Sequence, residues 1–157
     1  MLETTLLLLL TAGLTTAEAG ADSSKSQLDA LLAEAWETAL HEDPLLATAT
    51  GDHRFDDLLP SMTPADLERR AEYAQTLLVR LRSIEREALD PADRISHRML
   101  ERQLSDDLTG HELGIWRIPI TSDSGFHTEI SRLPQEVPLE NTQDYEHYVA
   151  RLRAIPV

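Results

Sequence analysis

Two copies of one helix-start signal constrain how this chain can fold. Thr63-Pro64-Ala65-Asp66 and Asp90-Pro91-Ala92-Asp93 each set a side-chain oxygen able to cap in front of a proline, followed by an acid. Proline is tolerated at the first helical position because its missing N–H would have no partner there, and the acid suits the positive end of the helix dipole. Behind the first signal, Leu67, Ala71, Ala74, Leu77, Leu78, Leu81 and Ile84 form one apolar stripe. Behind the second, Ile95, Met99, Leu104 and Leu108 lean to one side, and Gly110 marks an end. So short a break between two long helices predicts an antiparallel hairpin over 63–109.

The flanks carry helical spacing as well. Leu28, Leu31, Leu32, Ala35, Trp36, Ala39 and Leu40 recur at i, i+3, i+4 and i+7, predicting a helix that Asp43-Pro44 ends. A last helix is expected from Asn141 or Thr142, facing Tyr145, Tyr148, Val149 and Leu152 inward. Between them, Ile115-Trp116-Arg117-Ile118-Pro119-Ile120 is dense in β-branched and aromatic residues and reads as an extended or edge strand. Ser122 to Gly125 has turn composition, Phe126 to Leu133 reads as a second extended segment, and Pro134 and Pro138 mark a loop. The fold class is therefore mainly α, antiparallel amphipathic helices with a short extended or β segment around 115–133. The final helix meets Ala154-Ile155-Pro156-Val157 without a cap or a polar ending, which predicts that its apolar face continues against further chain.

The start has a different character. Leu6 to Leu10 is an unbroken leucine run, and Ala17-Glu18-Ala19 supplies the small-x-small pattern of a signal-peptidase site, although Met1-Leu2-Glu3 lacks the usual basic opening. Residues 1–19 read as a signal peptide, 20–26 as a flexible spacer, and 27–157 as the N-terminal portion of a larger helical domain. The apolar run is too short to span a bilayer of roughly 30 Å, so the expected product is periplasmic or secreted, with no stable membrane anchor once the leader is gone. With no cysteine there is no disulfide framework and no catalytic or lipid-bearing thiol. A formal net charge of -14 repels a phosphate backbone, and nucleic acid is excluded as an expected partner.

Zinc hydrolases of the commonest kind need two histidines one helical turn apart and a glutamate beside the first. His41-Glu42 and His111-Glu112 both lack the second histidine, and both read as polar residues near helix ends. Gly51-Asp52-His53-Arg54-Phe55-Asp56-Asp57 gathers three carboxylates and an imidazole in one loop, able to hold a hard cation or orient a water. The same residues serve a turn equally well: Gly51 supplies a positive φ, Phe55 plugs the loop, and Arg54 pairs with Asp56, Asp57 or a helix C-terminus. The structural reading is the stronger. His127, after Gly125-Phe126, is a loop histidine whose simplest role is a hydrogen bond to backbone. Ser122 and Ser124 lack a nucleophile-elbow context, and Trp36 and Trp116 read as core or interface fillers.

Three ordered segments resemble the N-terminal region of the bacterial family known as domain of unknown function 885. Gly51 to Asp57 is similar to its G-D-H-R-aromatic-D-D loop, and Pro119-Ile120-Thr121-Ser122-Asp123-Ser124-Gly125-Phe126-His127-Thr128 to its proline-to-Gly-x-His segment. Asp144-Tyr145-Glu146-His147-Tyr148 with Arg151-Leu152 and Ile155-Pro156 is similar to its D-Y-x-x-Y helix ending in R-L and I-P. The resemblance implies the N-terminal part of a larger helical, zincin-like fold: an exported zinc metallopeptidase-like hydrolase acting on a peptide-like substrate. Its H-E-x-x-P-G-H element would lie far downstream, so zinc is expected only in the missing C-terminal portion, which becomes this chain's expected partner. No catalytic and no metal-ligating residue carries over; Asp52, His53, Arg54, Gly125 and His127 carry over as cleft-wall positions. The other reading is a stand-alone periplasmic helical interaction module without enzymatic activity, binding a partner through an exposed apolar stripe.

Overall fold

The structure, a computed structural model, describes residues 3–118, 120–121 and 125–155, with the side chains of 3–19, 126, 127 and 129 outside that description. It is mainly helical, and no strand forms among the described residues. Helix α1 spans Glu3–Glu42, α2 Pro44–Ala49, α3 Pro64–Arg82, α4 Pro91–Glu112, α5 Phe126–Glu136 and α6 Thr142–Ala154. No helix among the described residues is long and apolar enough to cross a membrane.

Helix starts follow the chemistry of their caps. Asp66 N–H donates to Thr63 Oγ1 and Asp93 N–H to Asp90 Oδ1, so α3 and α4 begin where the duplicated signal places them. Asp43 ends α1 and also opens α2, its Oδ1 accepting from the N–H groups of Leu45 and Leu46 with Pro44 at the first position. Asp43-Pro44 is thus a third copy of the cap-proline signal, acting as a helix start as well as a helix end. Asn141 and Asp144 form a reciprocal capping box at the head of α6. Residues 20–26, expected as a flexible spacer, lie inside α1. One isolated glycine costs a helix only about 1 kcal/mol, and the remaining small residues do not break it. The leucine run and Ala17-Glu18-Ala19 lie outside the described side chains.

The chain divides into two compact units, each containing parts of α1, α3 and α4. The first comprises residues 1–34 and 72–108 and buries Leu28, Leu31, Ala74, Leu77, Leu78, Leu81, Ile84, Leu89 and Leu104. Ion pairs at its surface join Lys25 to Asp93, Arg80 to Glu34 and Arg82 to Glu101. The hairpin of α3 and α4 meets here, where His97 Nε2 donates to the Leu81 carbonyl at 3.0 Å. The second unit comprises residues 35–71 and 109–157 and buries Leu40, Ala47 and Leu133 together with three polar residues, Thr48, Asp56 and Arg151.

Four expectations are corrected. On α4 the buried residues are His97 and Leu104, while Ile95 and Met99 face solvent. The two sets stand half a turn apart on a helical wheel, and the imidazole is taken inward because its Nε2–H has a carbonyl partner. Gly110 does not end α4, which continues to Glu112 and stops at Gly114 (φ 66°), the left-handed position that glycine fills without a Cβ clash. The extended segment around 115–133 is instead a 3-10 helix over Ile115–Arg117, one isolated bridge between Ile120 and Gly125, and α5, with Pro134 in the last turn. Ile130, Leu133 and Val137 repeat at helical spacing, a signal that β-propensity overrode; Pro119 and Ser122 to Ser124 lie outside the described residues. Finally, α6 buries Arg151, and Tyr145, Val149 and Leu152 are exposed, as is Trp36 on α1.

Candidate functional site

The 51–57 loop is built from the backbone outward. After α2, Thr50 caps the helix and Gly51 turns the chain at φ 88°. A Cβ on Gly51 would meet no atom within 4 Å, so backbone conformation rather than crowding calls for glycine there. Asp52 then starts a 3-10 helix over His53–Phe55, its Oδ1 accepting the Arg54 N–H at 3.1 Å.

Side chains in the loop are spoken for by one another. Arg54 donates from Nε to both oxygens of Asp52, at 2.9 and 3.0 Å, and reaches Glu37 on α1 with Nη1 at 2.6 Å and Nη2 at 3.0 Å. The guanidinium holds the Asp52 and Glu37 carboxyls below their usual range, and Asp52, then Glu37, raises Arg54 in return. Arg54 also lies over the Phe55 ring at 5.0 Å, and the His41 ring meets Phe55 edge-on at 5.7 Å. The expected pairing of Arg54 with Asp56 or Asp57 is therefore replaced by Asp52 and Glu37. Asp56 is buried and already engaged elsewhere, whereas the fork of Arg54 can grip two surface carboxylates.

Asp56 connects the loop to α6. His53 Nδ1 lies 2.8 Å from Asp56 Oδ2, and Thr48 Oγ1 donates to Oδ1 at 2.6 Å. Thr48 also stands 3.0 Å from the Pro44 carbonyl, and its single proton goes to the closer, charged acceptor. Behind Thr48 sits Arg151, with no solvent exposure at all. Its Nη2 meets Thr48 Oγ1 at 2.6 Å, the Pro44 carbonyl at 3.1 Å and the Phe55 carbonyl at 3.2 Å, and its Nε donates to the Leu58 carbonyl at 2.9 Å. Asp56 supplies the countercharge at 3.6 Å. Burial lowers the guanidinium from its usual range, the two aspartates Asp56 and Asp57 oppose that, and the group stays charged. Nη1 is buried without a partner among the described residues.

Of the cleft-wall residues, Asp52, His53 and Arg54 are thus consecutive in one loop, with His53 and Arg54 more than half exposed. Gly125 caps α5 at φ 135° and accepts from Thr128 N–H and Oγ1 through its carbonyl. No hydrogen bond among the described residues brings Gly125 to the 51–57 loop. The His127 side chain lies outside the described residues. Glu42 and His111, from the two His-Glu pairs, join Arg69 with Arg70 and Glu68 respectively. Thr48 and Arg151 were not singled out from sequence, although Arg151 stands in the R-L element of the last helix.

As for a zinc site, no group of three or more His, Cys, Asp or Glu able to hold a metal forms among the described residues, and Asp56 and His53 are bonded to each other. The described residues alone supply no ligand set that fits that metal. No curated protein and no solved structure matches the chain. A family model does match, that described as bacterial protein of unknown function (DUF885), over residues 44–157, which include both the 51–57 loop and the Arg151 helix that anchors it. The chain belongs to the DUF885 family.

Proposed function

We propose that this chain is the N-terminal, non-catalytic portion of an exported zinc metallopeptidase-like hydrolase, its helices lining or covering a cleft for a peptide-like substrate. The observation that carries the non-catalytic part is the use made of the 51–57 loop. Its buried carboxylate is consumed in holding Thr48, His53 and Arg151, and Asp52 is consumed by Arg54. What the loop offers outward is a preset edge of His53 and Arg54, fit for a wall rather than for chemistry. Zinc and the activated water would be held by residues outside these 157, and the family resemblance supports that division. Export to the periplasm or medium goes with the reading, on the strength of the leucine run and Ala17-Glu18-Ala19.

Sequencing the parent locus beyond the Val157 codon tests it. The expected result is a long helical region, in the same or a shifted frame, with an H-E-x-x-P-G-H element and a further glutamate. An unrelated gene at that position overturns the hydrolase reading. The second reading, a helical interaction module, is favoured by one observation, the exposed Ile95 and Met99 on α4.

A further inference from the structure

We propose that His53 is a binding residue of the cleft wall, held by Asp56 as the Nδ1-protonated tautomer so that Nε2 faces outward as a fixed hydrogen-bond acceptor for an N–H of the substrate. The proposal rests on the cleft-wall reading of the 51–57 loop and adds what that wall recognises. Asp56 is the countercharge of the buried Arg151, and an ionised carboxylate can only accept. The proton between His53 Nδ1 and Asp56 Oδ2, 2.8 Å apart, therefore sits on Nδ1. A neutral imidazole protonated there carries its lone pair on Nε2. Free histidine prefers the opposite form, so this tautomer is imposed by the site.

Exposure fixes which way the lone pair faces. Asp56 is 5% exposed and the His53 side chain 59%, so the bonded edge of the ring turns inward and the other edge outward. Nε2 makes no hydrogen bond among the described residues. Beside it, Arg54 gives Nε to Asp52 and both Nη atoms to Glu37, so the neighbouring cation is taken and an anion finds no open fork. What the loop leaves for a ligand is an acceptor, and its match on a peptide-like substrate is an amide or amine N–H. Asp56 is itself fixed from behind: Oδ1 accepts from Thr48 Oγ1 at 2.6 Å and faces Arg151 Nη2 at 3.6 Å, which leaves Oδ2 to the imidazole. Asp56, Thr48 and Arg151 are thus positioning residues, setting ring orientation and tautomer as the outer partner of a ligand histidine does.

The test uses the whole chain with isotope-labelled histidine, the ring nitrogens resolved by NMR in alkaline buffer, where imidazoles are neutral. Diethyl pyrocarbonate, mapped by peptide mass, is the probe of a bare and open ring nitrogen. His53 is expected as the Nδ1–H form with Nε2 bare, and to be carbethoxylated. Asp56→Asn should invert the tautomer. Its amide oxygen takes the side of the two donors, Thr48 and Arg151, and its amide nitrogen donates to Nδ1, which moves the ring proton to Nε2 and removes the reaction with the probe. Asp57→Asn, one residue on and with no hydrogen bond to the imidazole among the described residues, should change neither readout. An Nε2–H form or an even mixture in the parent overturns the proposal, and this measurement decides even where Asp56→Asn does not fold. A parent His53 that resists the probe overturns it by closing the outward edge, and a tautomer that Asp56→Asn leaves unchanged, or that Asp57→Asn alters equally, overturns the role of Asp56. All of these are read on this chain alone, whereas the hydrolase reading fails on what lies beyond the Val157 codon, so the two failures are separable.

Discussion

Arg151 Nη2 lies 2.6 Å from Thr48 Oγ1 across 103 residues of sequence, and through that hydroxyl it acts on Asp56. The arrangement places a cation in the interior and compensates it with three carbonyls, a hydroxyl and a carboxylate. Such a group is costly to bury and costlier to strand. Replacing Arg151 with Met leaves Asp56 buried without its countercharge, so the unfolding free energy should fall by about 3–5 kcal/mol in chemical denaturation. Arg151→Lys should not restore it, since an ammonium cannot reach the Leu58 and Pro44 carbonyls from one planar fork. A lysine variant as stable as the parent would show that charge alone suffices.

Acid should expose a second dependence. The Arg69 guanidinium, with Arg70 beside it, pulls Glu42 from 4.5 down to about 2, against a smaller opposing effect of burial. A carboxyl whose folded value is depressed contributes stability above its unfolded value and loses it as pH falls through the folded one. The contribution of Glu42 should therefore be complete above pH 4.5 and gone near pH 2. Allowing for solvent screening, it is on the order of 1–2 kcal/mol. Comparing Glu42→Gln with the parent across that window checks it, the two curves separating above pH 4.5 and converging near pH 2.

Within α3 and α4, polarity should matter by face. Leu78 is 4% exposed, so Leu78→Asp puts an unpaired charge into the first unit's core and should cost more than about 3 kcal/mol. Met99→Asp, at 68% exposure, should stay within about 0.5 kcal/mol. Thermal melts followed by circular dichroism separate the two; equal losses would mean that Met99 is covered.

Much of the fold was legible because helix starts and stripes are local. Thr63-Pro64, Asp90-Pro91 and Asn141 each cap within a few residues of themselves, and Leu77, Leu78 and Leu81 are buried by a periodicity visible in one segment. What stayed hidden was decided at long range. His97 goes inward because a carbonyl on α3 accepts its proton, and Arg151 because the turn after α2 offers carbonyls, a hydroxyl and a carboxylate. An apolar-periodicity argument favours Ile95 and Tyr145 over those residues, and polar burial inverts it. In the candidate site the positive φ of Gly51 could be read directly, while the partners of Arg54 and Asp56 depended on where Glu37, Thr48 and Arg151 came to lie.

The leader makes the last prediction. The leucine run and Ala17-Glu18-Ala19 fit a signal-peptidase substrate, so material recovered from the periplasm should begin at Gly20. The fold tolerates that cut on local grounds. Ser24 is the earliest residue buried among the described side chains, followed by Leu28 and Leu31, and Lys25 already pairs with Asp93 and Asp29. A helix that starts at Gly20 keeps a full turn ahead of Ser24, and the Lys25 pairs need nothing upstream. A chain of residues 20–157 should therefore melt within a few degrees of the full chain, because a change below about 1 kcal/mol moves a midpoint that little. Intact-mass measurement of the exported product decides the first point, and a mass that still includes Met1 ends the export argument. A melting midpoint for 20–157 far below that of the full chain would instead show that the leucine run contributes to the folded protein, and the helix from Glu3 onward would have to be read as part of the domain.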